Sequence, residues 1–179
     1  MEVAAKTNWI IDQAHSEVHF KVKHLVISTV TGTFNSFAGS MESENDDFQN
    51  PSIEFSLDVD SIDTNQEQRD GHLKSADFFD AAQFPKISFR STSFVKVGDD
   101  YELAGDLTVK NVSKPVTLSV EFGGRATDFY GNDKVGFEVS GKISRKEFGL
   151  TWDGITEAGA IVVGDEIKLQ INVQFAKQA

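Results

Sequence analysis

Alternation of apolar and polar residues with a period of two runs through most of this chain and restricts what it can fold into. Between His15 and Lys23, Val18, Phe20 and Val22 share one face, while Glu17, His19, Lys21 and Lys23 share the other. Ile53, Phe55, Leu57 and Val59 repeat the pattern, as do Leu103, Gly105, Leu107 and Val109, then Val116, Leu118, Val120 and Phe122. The last segment is the clearest, with Ile167, Leu169, Ile171, Val173 and Phe175 set against Glu166, Lys168, Gln170, Asn172 and Gln174. Strands with one covered and one wetted face belong to antiparallel sheets. Weaker patterns fit strands at 9–12, 30–34, 37–43, 87–94 and 135–144. Turn residues separate them: Gly98-Asp99-Asp100, Gly123-Gly124 and Gly131-Asn132-Asp133 supply the positive φ angles that hairpin loops need. Pro115 fits the start of a strand, where its missing N–H costs least. Eight or so strands in 179 residues, with no internal repeat or linker, predict one closed barrel or two-sheet sandwich.

One segment departs from this rhythm. Thr64-Asn65-Gln66-Glu67 matches a capping box, with Thr64 as N-cap and Glu67 reaching back to its N–H. It predicts a helix, or two short turns, over about 65–79, closed off before Pro85, with Leu73, Ala76 and Phe78 or Phe79 as the buried stripe. A second turn fits Leu25–Ser28, and the acidic stretch Glu42–Asp47 suits a solvated hairpin tip. What the covered faces would enclose is unusual. The chain has 15 Phe against 2 Trp and 2 Tyr, a large stock of apolar volume without polar handles. A helix beside the mouth of such a barrel is a common way to build an apolar pocket.

Charge and composition exclude several functions. The net charge of −11 argues against nucleic-acid partners, whose affinity comes from clustered Lys and Arg, and against docking on anionic membranes. The chain has no Cys, which removes disulfides, thiolate metal sites and Cys nucleophiles. No apolar run reaches the 18 residues of a membrane-spanning helix. The first eight residues lack a basic segment followed by an apolar one. This predicts a cytoplasmic protein as given, or a periplasmic or secreted one if the sequence is a trimmed mature form.

Residues with chemical potential are scattered. His15 and His19 on a strand would lie about 13 Å apart, too far to share a metal ion. Asp58, Asp60 and Asp63 lack the central Gly and terminal Glu of a calcium loop. No nucleophile elbow or phosphate-binding loop is present. Two clusters stand out: Arg69-Asp70-Gly71-His72-Leu73-Lys74 with Asp77-Phe78-Phe79-Asp80, and Ser144-Arg145-Lys146-Glu147-Phe148-Gly149-Leu150. In the first, Leu73 and the Phe pair could face a pocket while Arg69 or His72 meets a polar head-group; alternatively Arg69 and Asp70 brace loops and a Phe plugs the core. In the second, Gly149 permits a sharp corner, and Arg145 is either a salt-bridge partner or a second head-group contact.

These clusters also carry a resemblance. Arg69 to Asp80, followed by Phe84-Pro85-Lys86-Ile87-Ser88-Phe89, resembles the central signature of the YceI-like family. Matching stretches recur in order: His15-Ser16, Lys23-His24-Leu25, Gly32-Thr33-Phe34, Phe37-Ala38-Gly39, Gly105 to Val109, Lys114-Pro115-Val116, Ser144-Arg145 with Phe148-Gly149-Leu150, and Val163 to Ile167. The resemblance covers residues 9–175, leaving 1–8 as a flexible N-terminal segment and 176–179 as a C-terminal tail. It implies an all-β, lipocalin-like, eight-stranded antiparallel β-barrel with a short helical segment near residues 65–79. It further implies binding, sequestration or transport of a polyisoprenoid or similar long-chain amphiphilic lipid in an apolar tunnel, without catalysis, cofactor or metal, and commonly as a homodimer. Phe20, Phe34, Phe55, Leu73, Phe78, Phe89, Leu107, Phe137 and Trp152 are the expected lining, with Arg69 and His72 near the head-group. Two alternatives remain at this point: an enzyme acting on a bound isoprenoid, with His72 or a carboxylate as acid–base group, and a solid barrel whose dimer surface is its function.

Overall fold

The computed structural model describes residues 6–25, 27–44, 48–152 and 163–178. Its strands are β1 (Lys6–Ile11), β2 (Glu17–His24), β3 (Ser28–Phe34), β4 (Phe37–Glu44), β5 (Gln49–Asp58), β6 (Ile62–Asp63), β7 (Lys86–Val97), β8 (Asp100–Val109), β9 (Val112–Thr127), β10 (Asp133–Ser144) and β11 (Val163–Lys177). One helix, α1 (Glu67–Lys74), lies between β6 and β7. No helix among the described residues is long and apolar enough to cross a membrane.

All pairings are antiparallel, and they close. From β4 the ladder runs through β5, β7, β8, β9, β10 and β11. The edge of β11 is then shared: its Phe175 pairs with Ile11 of β1, while its Ile171 pairs with Val18 of β2. β1 and β2 are therefore two halves of one stave, interrupted by a 3-10 turn at Gln13–His15. β3 and β4 form the next stave, joined at Asn35 and Ser36. The result is an eight-stave closed barrel, the fold expected above. Eight strands leave an interior just wide enough for side chains or one slender ligand.

Several expectations change in detail. Strand pairing starts at Lys6 and reaches Lys177, so residues 6–8 and 176–177 belong to the barrel instead of terminal segments. Residues 1–5, 45–47 and 179, parts of the expected N-terminal segment, acidic tip and tail, lie outside the described residues. Pro115 falls inside β9, opposite Asp106 of β8. It is tolerated because the β9–β10 ladder stops at Ser119 and Ser140, leaving that edge without a β10 partner. The cap of α1 is Gln66, whose side chain accepts the Arg69 N–H. Thr64 is drawn elsewhere: its N–H donates to Asp70 Oδ1 at 2.9 Å, and its hydroxyl accepts from Arg69 Nε at 2.8 Å. The helix stops at Lys74, and successive turns carry the chain to Pro85.

The two barrel ends differ. At one, α1, the β2–β3 turn and the corner after β10 gather; we call it the helical end. At the other, Trp9 is fully buried beside Phe48, with ring centroids 5.6 Å apart. The Arg125 guanidinium lies 5.4 Å from the Trp9 ring and 5.7 Å from Phe48, a cation–π lid on this plug. Nearby, Asp12 at the end of β1 accepts from Lys134 of β10 at 2.6 Å and from His15 at 2.8 Å. These bonds, that from Lys134 foremost, lower the Asp12 carboxyl to about 2.

A carboxyl depressed in the folded state stabilises the fold above its unfolded pKa of about 3.9, and the benefit fades as pH falls toward 2. Asp12→Asn should therefore lower Tm at pH 7 by roughly 2–4 °C, solvent screening included, with the gap to wild type closing between pH 4 and about 2. Thermal unfolding followed by circular dichroism checks this; a gap independent of pH contradicts it.

Candidate functional site

Parity places one side chain in two inside the barrel. Along β5, β7, β8, β9, β10 and β11 the inward positions are almost all Ile, Leu, Val or Phe, and together they surround a cavity. The centre of a water-sized sphere can reach about 210 Å³ of it. A single water needs only about 10–15 Å³ on that measure, so the void is far larger than a packing defect. The barrel is hollow, which removes the solid-barrel alternative. Its wall runs from Leu73, Phe78 and Phe79 at the helical end to Phe94, Phe137 and Phe175 toward the plug.

Close approach of backbones sets the shape of this wall. Gly105 of β8 faces inward, where a Cβ would sit 2.5 Å from the Arg90 carbonyl and 2.4 Å from the Phe89 ring. Glycine there lets the Phe89 ring lie flat against the neighbouring strand. Gly32 does the same for Phe20, whose ring would meet an added Cβ at 2.2 Å. The rings thus fold down onto strands and leave the axis open.

Of the eleven residues expected at the site, Phe20, Phe34, Phe55, Leu73, Phe78, Phe89, Leu107 and Phe137 lie on the cavity wall. Three do not. Trp152, expected as lining, packs behind the wall, 4.8 Å from the His72 ring and 5.3 Å from Phe78, while its carbonyl is held by Arg145. His72 sits on the outside of this trio and bonds Asp77 at 2.9 Å. Arg69 points two donors at Thr64, with Nη2 reaching the Thr64 carbonyl at 2.6 Å, so it braces the loop ahead of α1. The loop-bracing role left open for Arg69 and Asp70 is the one their bonds describe.

The second cluster is structural as well. Arg145 is 2% exposed and donates to four backbone carbonyls, those of Leu150, Trp152, Val163 and Gly164, at 2.6–2.9 Å. It ties the chain leaving β10 to the start of β11. Burial pushes the neighbouring Asp165 carboxyl up, but Ser144 at 2.7 Å, the Lys146 N–H at 3.1 Å and Arg145 outweigh it and hold it below its usual range. Phe148 and Leu150 of this corner are buried and join the wall, closing the side where β9 and β10 diverge. Gly149, at φ 81°, makes the corner possible.

Phe79 lines the cavity together with Phe78, where the sequence suggested one or the other. Ile167, Leu169, Ile171, Val173 and Phe175 also line it, and their strict alternation was the signal that could have named them. His15 and His19 are occupied by Asp12 and Glu17 at 2.8 and 2.9 Å. Among the described residues no group of three His, Asp or Glu is placed to hold a metal ion.

Comparison with known proteins agrees with this architecture. The family profile of the YceI-like domain matches residues 9–175. A relative described as Protein YceI, from Salmonella newport (strain SL254), is 37% identical over 179 residues, spanning 98% of this chain and 89% of the relative. Among solved structures, Burkholderia cenocepacia BcnA superposes with a TM-score of 0.79 at 22% identity, over 92% of this chain and 98% of that one. A polyisoprenoid binding domain from Saccharophagus degradans, implicated in plant cell wall breakdown, superposes with a TM-score of 0.67 at 14% identity, over 98% and 100%.

The buried guanidinium offers a direct test of how the wall is held. Arg145→Met keeps the volume and leaves four carbonyls without their donor, which should cost about 3–5 kcal/mol in urea unfolding. Arg145→Lys should recover only part, because one ammonium cannot span the fork. A loss below 1 kcal/mol for Arg145→Met would refute the role.

Proposed function

The chain belongs to the YceI-like family, and from that premise we propose that it holds the tail of a polyisoprenoid or similar long-chain amphiphilic lipid inside its barrel, carrying it without chemical turnover. The observation that carries this reading is the continuous apolar wall along the barrel axis, from Leu73 and Phe78 to Phe137 and Phe175. A tail in such a cavity gains about 0.8 kcal/mol for each CH₂ taken out of water, less the cost of ordering it. Affinity then scales with chain length and needs no charged partner deep in the barrel. The polar end of the ligand faces the helical end, because the opposite end is plugged by Trp9, Phe48 and Arg125. There the His72 ring, 39% exposed, lies 5.1 Å from the Phe78 ring. The polyisoprenoid-binding neighbour supports the ligand class.

A second copy of the chain is part of the proposal. Ile10, half exposed, borders a shallow outer depression whose floor includes the small residues Ala38, Ser40, Ser56 and Ser88. A second barrel can approach closely where side chains are this small.

Purified protein, denatured and examined by mass spectrometry, should release a long-chain lipid, or after delipidation should bind a fluorescent prenol. Leu107→Trp and Ile171→Phe, which fill the cavity, should weaken that binding by about tenfold or more without loss of strand content. A barrel that neither carries a lipid nor takes up the prenol overturns the reading. Sedimentation velocity should give a dimer that Ser56→Arg disrupts; a monomer at micromolar concentration removes the second copy from the account.

A further inference from the structure

Composition gives this chain a strongly acidic average, but strand register gathers its cations unevenly. Lys142 of β10 pairs directly with Lys168 of β11, and Lys168 pairs directly with Lys21 of β2. All three are exposed and project from the outer face, forming a lateral row across three adjacent strands. Side chains so paired start about 5 Å apart, and like charges in that position destabilise a sheet. Lys142 lies 3.8 Å from Glu166; among the described residues neither Lys21 nor Lys168 has a carboxylate within ion-pairing distance. Lys23 continues the basic strip toward the turn that follows β2.

Glu166 sits beside the row at its Lys142 end; the other outward acids on these three strands lie further off. Glu17 and Glu138 flank Asn172 in another lateral row, four residues or about 13 Å further from the helical end. The strip ends at the helical end in a second feature. Ile27, in the β2–β3 turn, is 84% exposed, among the most exposed large apolar side chains described. A cationic strip ending in a protruding aliphatic side chain matches the layering of a bilayer surface, with anionic head-groups outside and hydrocarbon beneath.

We propose that this strip docks the barrel on an anionic bilayer, with the β2–β3 turn and the helical end toward the lipid. The inference deepens the lipid-carrier reading and rests on it for the purpose of the contact: it puts the helical end, toward which that reading turns the ligand's polar end, where a long-chain lipid resides. The composition-level argument against anionic membranes holds for the molecule as a whole and fails for this face. Glu166 beside the row and the exposed acids around α1, Asp63, Glu67 and Asp77, oppose this contact; those more than about 10 Å from the row are screened at 0.1 M salt, which leaves the row and Ile27 to set it.

Flotation of the full chain with phosphatidylcholine vesicles containing about 30% phosphatidylglycerol tests this, with pure phosphatidylcholine as the reference. Wild type should float with the anionic vesicles, and less so in high salt or on the neutral ones. Combined Lys21→Gln, Lys142→Gln and Lys168→Gln should reduce partitioning on the order of a hundredfold. Its Tm should hold or rise, since the substitutions remove opposed charges. Ile27→Asp should weaken flotation with the lysines intact, whereas Lys6→Gln and Lys96→Gln together, toward the plugged end, should not. Wild type that does not float, or floats equally well with the triple variant, overturns the inference. Loss of dimerisation in the triple variant without any vesicle binding in wild type does so too, by assigning the row to a second copy. Uptake of soluble prenol is measured in parallel. Its loss with flotation intact counts against the carrier reading alone, and its retention without flotation counts against docking alone.

Discussion

Closure of the ladder, where β11 is shared between β1 and β2, is the constraint on which the rest depends. An open sheet of this length would leave two edges of unpaired N–H and C=O groups. Joining them converts the sheet into a tube and makes side-chain parity decide everything else. Each inward position must be filled by apolar atoms or left empty. With Phe89 and Phe20 folded flat over Gly105 and Gly32, a strip along the axis is left empty. Glycine opposite Phe20 and diagonal to Phe89 gives these two rings the room to lie against the wall.

The two ends of the tube are finished by different physics. At one, rings and a cation–π contact fill the bore: Trp9, Phe48 and Arg125. At the other, the wall is completed by irregular chain, which must satisfy its own backbone. Arg145 does this for the corner after β10 by donating to four carbonyls, and the Arg69–Thr64–Asp70 cluster does it ahead of α1. Both arginines are thereby committed to the frame.

Most of the barrel was legible because a period of two is a local property. β5, β8 and β11 need only their own residues to declare which face is inward, and eight of the nine apolar or aromatic residues expected as lining lie on the wall. Features decided by distant partners were not legible. Thr64 has the sequence of an N-cap, yet Asp70 and Arg69 recruit it once the loop folds back, and Gln66 takes the cap. Trp152 belongs to no strand, so no parity fixed its direction, and the His72 and Phe78 rings drew it behind the wall. Phe48 follows an acidic stretch and adopts φ 58°; nothing nearby in sequence marks it as the partner of Trp9. The lysine row is the same kind of feature, since its members are separated by up to 147 positions and meet only through register.

The central claim is that a lipid tail occupies the bore of the barrel. Photo-crosslinking with a diazirine-bearing prenol, followed by peptide mapping, tests it residue by residue. The account predicts labels confined to inward positions such as Leu107, Leu169 and Ile171, and competed away by unlabelled prenol. Labels on outward neighbours such as Lys168, Gln170 and Asn172, or labels that competition does not remove, would contradict it.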